Sequence, residues 1–155
     1  MSRIKLFLWY VGVVVLSLFA NITIKFIPFK SLIRWITNSE AISTEELCLT
    51  NNEQKRLYRA EELLEHVREK VPWRVYCFEQ AIVALIIAKV LKVNMNIYFG
   101  VQKVNDQILA HAWTVAGEVI FTGREESVHF VPVFVRGYKA NIKKIRKIHK
   151  KGKFI

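Results

Sequence analysis

Cys77-Phe78-Glu79-Gln80-Ala81 opens, and Ala110-His111-Ala112-Trp113 closes, the stretch whose reading decides the fold. Between them lie an uninterrupted apolar run, residues 81–91, and an alternating run, residues 95–101. The first run is apolar almost all round at helical spacing, through Ile82, Val83, Ala84, Leu85, Ile86, Ile87, Ala88, Val90 and Leu91. Such a helix, over about 77–92, belongs at the centre of a core with sheet on one side and helices on the other. Lys89 and Lys92 mark its far end, where cations suit the negative pole of the helix dipole. In the second run Met95, Ile97, Phe99 and Val101 share a face, which predicts a strand. Residues 103–107 read as a polar loop, and the next strand carries Leu109, His111, Trp113 and Val115 on its core-facing side, with Ile108, Ala110, Ala112 and Thr114 on the other. Gly117-Glu118 reads as a two-residue hairpin loop that sets Val115 opposite Ile120 and His111 opposite Arg124. Phe121, then Val128, Phe130 and Val133, continue the sheet. The expected class is α+β: a helical N-terminal half, then an antiparallel sheet around the buried helix that begins at Cys77.

A cysteine at a helix start followed by a histidine on a strand has a chemical reading. A nucleophilic thiol needs an imidazole to take its proton, and the N–H groups and dipole of a helix N-terminus favour thiolate. Each residue also has a bland reading: a free cysteine is commonly a small buried hydrophobe, and a histidine on an apolar strand is commonly a hydrogen-bonded core residue. Cys48 keeps the first of these, and His66, on a charged helix, reads as surface. His129 falls among the later strands and is a second candidate base. Gln80 stands one turn beyond Cys77 and is a candidate oxyanion donor beside the backbone N–H groups at the Cys77 helix start.

The ordered series Trp73-Arg74-Val75-Tyr76-Cys77-Phe78-Glu79-Gln80-Ala81, an apolar helix, Asn96-Ile97-Tyr98-Phe99-Gly100-Val101, Ala110-His111-Ala112-Trp113 and Gly117-Glu118-Val119 resembles the peptidase half of the split B protein of lasso-peptide biosynthesis. That family lies within the transglutaminase-like cysteine-protease superfamily, whose core is papain-like. The resemblance covers roughly residues 70–135, and the series is more specific than any single motif in it. It implies that Cys77 is the nucleophile and His111 the general base in removing a leader peptide from a ribosomally made antibiotic precursor. It also implies two protein partners, a separate leader-binding protein that presents the precursor and an ATP-dependent lasso cyclase. A third group, an aspartate beyond the histidine, is implied as well, but Thr122, Gly123 and Arg124 stand in that region. Thr122, Glu125 and Glu126 are therefore the candidates for the group that orients the imidazole, and an aspartate introduced at Gly123 is expected to be tolerated or mildly activating. The same superfamily includes acyl-transferring enzymes, so an amine in place of water at the Cys77 thioester is one alternative. A noncatalytic membrane- or peptide-binding relative is another.

Length and charge bound these readings. At 155 residues the chain is long enough for one real core. Two cysteines make no disulfide framework and no Cys/His quartet suggests zinc, so neither metal nor cofactor is expected, and a reduced compartment fits. The net charge is +11, but residues 136–155 hold nine Lys/Arg and no acid, which leaves +2 for the rest. A nucleic-acid-binding protein is a third, weaker reading that rests on this basic tail alone and would bind more weakly as salt rises; no nucleic acid is expected as partner. The expected organisation is a helical region over 1–70, a transglutaminase-like peptidase core over 71–138 and a basic tail over 139–155, where Ile142, Ile145 and Ile148 suggest a narrow apolar stripe.

Residues 6–24 carry no charge and follow Arg3 and Lys5. Their length fits a membrane span or surface attachment, a buried or partner-binding helix, or a signal segment, the last disfavoured because Leu18 stands where a small residue should precede cleavage after Ala20. The resemblance favours the buried or partner-binding helix and a cytoplasmic protein; an anionic membrane surface is a further candidate partner. Pro28 ends that element, and residues 30–36 begin a short helix with Leu32, Ile33 and Ile36 on one side. Ser43 with Glu46, and Thr50 with Glu53, have capping-box spacing, and from 52 to 70 Ala60, Leu63, Leu64 and Val67 mark an amphipathic helix stopped by Pro72.

Overall fold

The computed structural model describes residues 3–140, so the expected tail stripe at Ile142, Ile145 and Ile148 lies outside the described residues. Helices α1 (Arg3–Phe26), α2 (Phe29–Ile36), α3 (Asn51–Lys70) and α4 (Cys77–Leu91) precede strands β1 (Met95–Val104), β2 (Gln107–Ala116) and β3 (Val119–Thr122). A single turn of helix, α5 (Arg124–Ser127), leads to β4 (Val131–Tyr138). The four strands form one antiparallel sheet in the order β3-β2-β1-β4. This is the expected α+β arrangement, a helical half followed by an antiparallel sheet.

Local chemistry sets most of the boundaries. Pro28 stands at the N-cap of α2, whose Leu32, Ile33 and Ile36 are all buried. Thr50 and Glu53 form a complete capping box at the start of α3, each satisfying an otherwise free N–H of the first turn. Ser43 and Glu46 do not: that segment makes one turn, and the Glu46 carboxylate pairs with Lys139 instead. Helix α4 ends at Lys92, which takes the left-handed conformation. Of its apolar residues only Val90 is well exposed.

The hairpins differ from expectation in two instructive ways. The loop between β1 and β2 shrinks to Asn105 and Asp106, both at positive φ, because a two-residue turn of that shape matches strand twist and lets Lys103 and Val104 stay in the ladder. After Gly117-Glu118, Val115 does pair with Ile120, but the register then slips so that Thr114 meets Thr122. Strand β3 ends there, Gly123 turns at φ +73°, and no His111–Arg124 pair forms.

Cross-strand partners share a face, so Ile97 with Thr114 and Phe99 with Ala112 lie on one side of the sheet, and Tyr98 with Trp113 and Gly100 with His111 on the other. The first side is the one that packs on α4: Ala112 and Ala116 join Ala81, Leu85 and Ala88 in the main core. The assignment of His111 and Trp113 to that side is therefore corrected. They lie on the opposite face, where Gly123 and Phe130 cover them. Alternation was read correctly, but both faces of this part of β2 are buried, so alternation alone could not say which face meets the helix.

Candidate active site

An open cleft of about 570 Å³ runs between α3, the start of α4 and the turn around α5, and both Cys77 and His111 line it. Cys77 is half-buried and is the first residue of α4. Its position is braced from behind. The Gln80 side chain, itself buried, donates from Nε2 to the Val75 carbonyl at 3.1 Å, and the Gln80 backbone N–H donates to the Tyr76 carbonyl at 3.0 Å. Tyr76, the N-cap residue, supplies no side-chain acceptor, so the first-turn N–H groups beside the thiol lack the usual capping oxygen. Backbone donors of this kind can stabilise an oxyanion that develops next to the sulfur. One N–H of the Gln80 amide is committed to bracing the turn.

His111 is buried and held as a plate. Its ring lies nearly parallel to Trp113, with centroids 5.9 Å apart, and is tilted against Phe130 at 5.0 Å. Nε2 is 3.4 Å from the Gly123 carbonyl oxygen and 4.0 Å from Glu126 Oε2. Both neighbours are acceptors, a setting that favours the tautomer with its proton on Nε2 and leaves Nδ1 able to accept.

The three candidates for the orienting group separate clearly. The Thr122 hydroxyl is buried 2.9 Å from that of Thr114, away from the cleft. Glu125 lines the cleft. Glu126 comes nearest, at the limit of an ion pair, with a side chain 60% exposed. The closest acceptor is the Gly123 carbonyl, which sequence reasoning missed. Its signal was present: a glycine directly after a strand and before a polar turn is where a chain takes up positive φ. A Cβ on Gly123 would lie 2.6 Å from His111 Nε2 and 3.0 Å from the Trp113 Cβ, so the expectation that aspartate is tolerated there reverses.

Charged groups frame the cleft. Arg124 bridges to Glu61 on α3 at 3.0 Å and also donates to the Ile120 carbonyl, tying the α5 turn to the helical layer. Burial pushes the Glu61 carboxyl above its ordinary range, against the opposing pull of Arg124. Cys48 is exposed near Thr44 and His129 is exposed beyond α5; neither lines the cleft. His66 is exposed on α3, beside Tyr10. Among the described residues no group of three or more His, Cys, Asp or Glu side chains is arranged to hold a metal ion.

A family model described as the transglutaminase-like superfamily matches residues 24–135, a span that takes in the cleft and leaves out nearly all of α1. No curated protein matches significantly, and no solved structure does.

Proposed function

The chain belongs to the transglutaminase-like superfamily, and from that premise we propose that it is a cysteine peptidase that removes the leader from a ribosomally made lasso-peptide precursor. The observation that carries the proposal is the meeting, in one open cleft, of a cysteine at an uncapped helix start and a histidine whose Nε2 faces two acceptors. The resemblance of the series around Cys77, Gly100 and His111 to the leader peptidases supports the choice of substrate.

In this reading Nδ1 of His111 takes the Cys77 proton and the thiolate attacks the scissile carbonyl, while first-turn N–H groups of α4 hold the oxyanion. The imidazolium returns its proton to the departing amine, which leaves as the new N-terminus of the core peptide. The leader remains as a thioester on Cys77. Water then attacks the thioester, with His111 again as base, releasing the leader as a carboxylic acid and restoring the thiol. The Gly123 carbonyl and Glu126 steady the ring through the change in charge. A separate leader-binding protein presents the precursor, and a cyclase consumes the freed core.

Mass spectrometry of a candidate precursor incubated with this chain and its leader-binding partner tests the proposal. A leader of free-acid mass and a core with a free amine are expected. Cys77→Ala and His111→Ala should each abolish cleavage while keeping the native circular dichroism, and Cys48→Ala should cleave normally. Wild-type turnover by Cys77→Ala or His111→Ala refutes the assignment of roles. A leader joined to an added amine would make the chain an acyltransferase instead.

A further inference from the structure

Helix α1 faces the wrong way for an ordinary core helix. The residues it buries are Val13, Ser17, Ala20 and Thr23, none of them large. Trp9, Tyr10, Leu16 and Ile24 are partly buried against the core, but a further set of large apolar residues points out: Phe7, Leu8, Val15, Leu18, Ile22 and Phe26 are all exposed, Phe7 at 64% and Phe26 at 80%. Their spacing places them on one stripe along a helix about 36 Å long. Isolated exposed apolar side chains are ordinary, but a continuous band of this length is covered by something.

Charge tells what covers it. Residues 1–39 contain five cations, Arg3, Lys5, Lys25, Lys30 and Arg34, and no acid. In sequence, residues 136–155 add nine more cations and again no acid. A second copy of the chain on this face would set cation against cation. An occupant both apolar and anionic answers the stripe and its flanks together, and a bilayer containing anionic lipid is such an occupant.

We infer that the outward face of α1 lies in the surface of an anionic bilayer, parallel to it, with Arg3 and Lys25, which helical spacing places beside the stripe, at the headgroups. The helix is long and apolar enough to cross a membrane. Its inner side, however, is engaged with the body of the protein: Val13 and Ala20 belong to the main core, Tyr10 packs on His66, and Asn21 donates to the Arg74 carbonyl at 3.3 Å. Crossing would strip those contacts, whereas lying flat keeps them and buries only the side that the fold leaves bare. Nearly all of this surface lies outside the span that the family model matches, and no residue of α1 lines the cleft.

Flotation of the full chain with vesicles tests it, using phosphatidylcholine alone and phosphatidylcholine with phosphatidylglycerol. The chain should float with the anionic vesicles at low salt, at least about tenfold more weakly at high salt, and not with phosphatidylcholine alone. The double variant Val15→Asp/Leu18→Asp should stay in the soluble fraction, and deletion of residues 141–155 should weaken flotation. Four results overturn the inference: no flotation of the folded chain at low salt, equal flotation of the double variant, retention through alkaline wash that only detergent reverses, or a dimer in solution that the double variant dissolves while vesicles remain unbound. Cleavage of a soluble precursor reads out separately, so loss of membrane binding and loss of peptidase activity cannot be confused.

Discussion

Helix α4 buries ten of its fifteen residues, whereas α1 buries four of twenty-four. Both are apolar runs with few charges, and hydropathy alone treats them alike. They differ in how residue size is distributed around the helix. In α4 large and small apolar residues occur on every side, and α1, α2, α3 and the sheet all pack against it. In α1 the four buried positions, Val13, Ser17, Ala20 and Thr23, are all modest in size and are flanked by the partly buried Trp9, Tyr10, Leu16 and Ile24, while the other large residues stay exposed on the outer side. Small side chains let a helix approach its neighbour closely, while large ones toward the surroundings suit an apolar phase, the pattern of helices that meet lipid. The sorting of size, more than the mean hydropathy, distinguishes a helix that fills a core from one that faces an occupant outside it.

The largest expected effect comes from breaking the α4 side of this contrast. Leu85 is fully buried, and Leu85→Ala should destabilise the chain by about 2–5 kcal/mol, the sum of lost transfer energy and a residual cavity. Denaturant unfolding measures it. A loss below about 1 kcal/mol would mean that the centre of the core is elsewhere.

Next in size is an effect in the cleft, and it also marks how far the sequence could be read. The pattern around Cys77 and the alternation of β1 and β2 gave helix, strands, hairpin and two residues that line one cleft. The helical half was legible as well, through the Thr50–Glu53 box and the buried side of α3. What escaped was the face that His111 occupies and the role of Gly123, because both follow from a register slip and a left-handed residue after Thr122. Neither is encoded in periodicity. The nearest acceptor to the ring is a backbone carbonyl, which every residue type possesses, so no side-chain identity marks it. Gly123→Ala should cost about 1–2 kcal/mol for the left-handed conformation. Its Cβ would also push on His111 Nε2, so kcat/KM should fall at least about tenfold, equivalent to about 1.4 kcal/mol. Normal activity in a stably folded Gly123→Ala would show that the ring does not need its present seat.

On α1 the inner stripe should resist enlargement. Ala20 is fully buried in the main core, and Ala20→Leu should destabilise by about 1–3 kcal/mol through overpacking. The same change in a helix that did not pack on the body would be harmless or stabilising, given the good helix propensity of leucine. A neutral result in denaturant unfolding would therefore mean that α1 is detached in solution, and it would remove the reason for laying the helix flat.

The smallest effect is expected on the outer stripe, and it sharpens the comparison most. Leu18 is 42% exposed, so Leu18→Gln removes apolar surface that already meets solvent and introduces an amide that water can satisfy. Glutamine and leucine have similar helix propensity, so neither helix formation nor core packing gives a reason for a large change. The free chain should change stability by less than about 0.5 kcal/mol, the usual range for surface positions. With anionic vesicles present, the two proteins should diverge: bound lipid stabilises the wild-type chain by mass action, and the variant should gain less from it. Thermal melting with and without vesicles measures both quantities on one sample. An equal gain for Leu18→Gln and wild type would place the lipid contact somewhere other than the outer stripe, and a large loss in the free variant would show that Leu18 is covered by the protein itself.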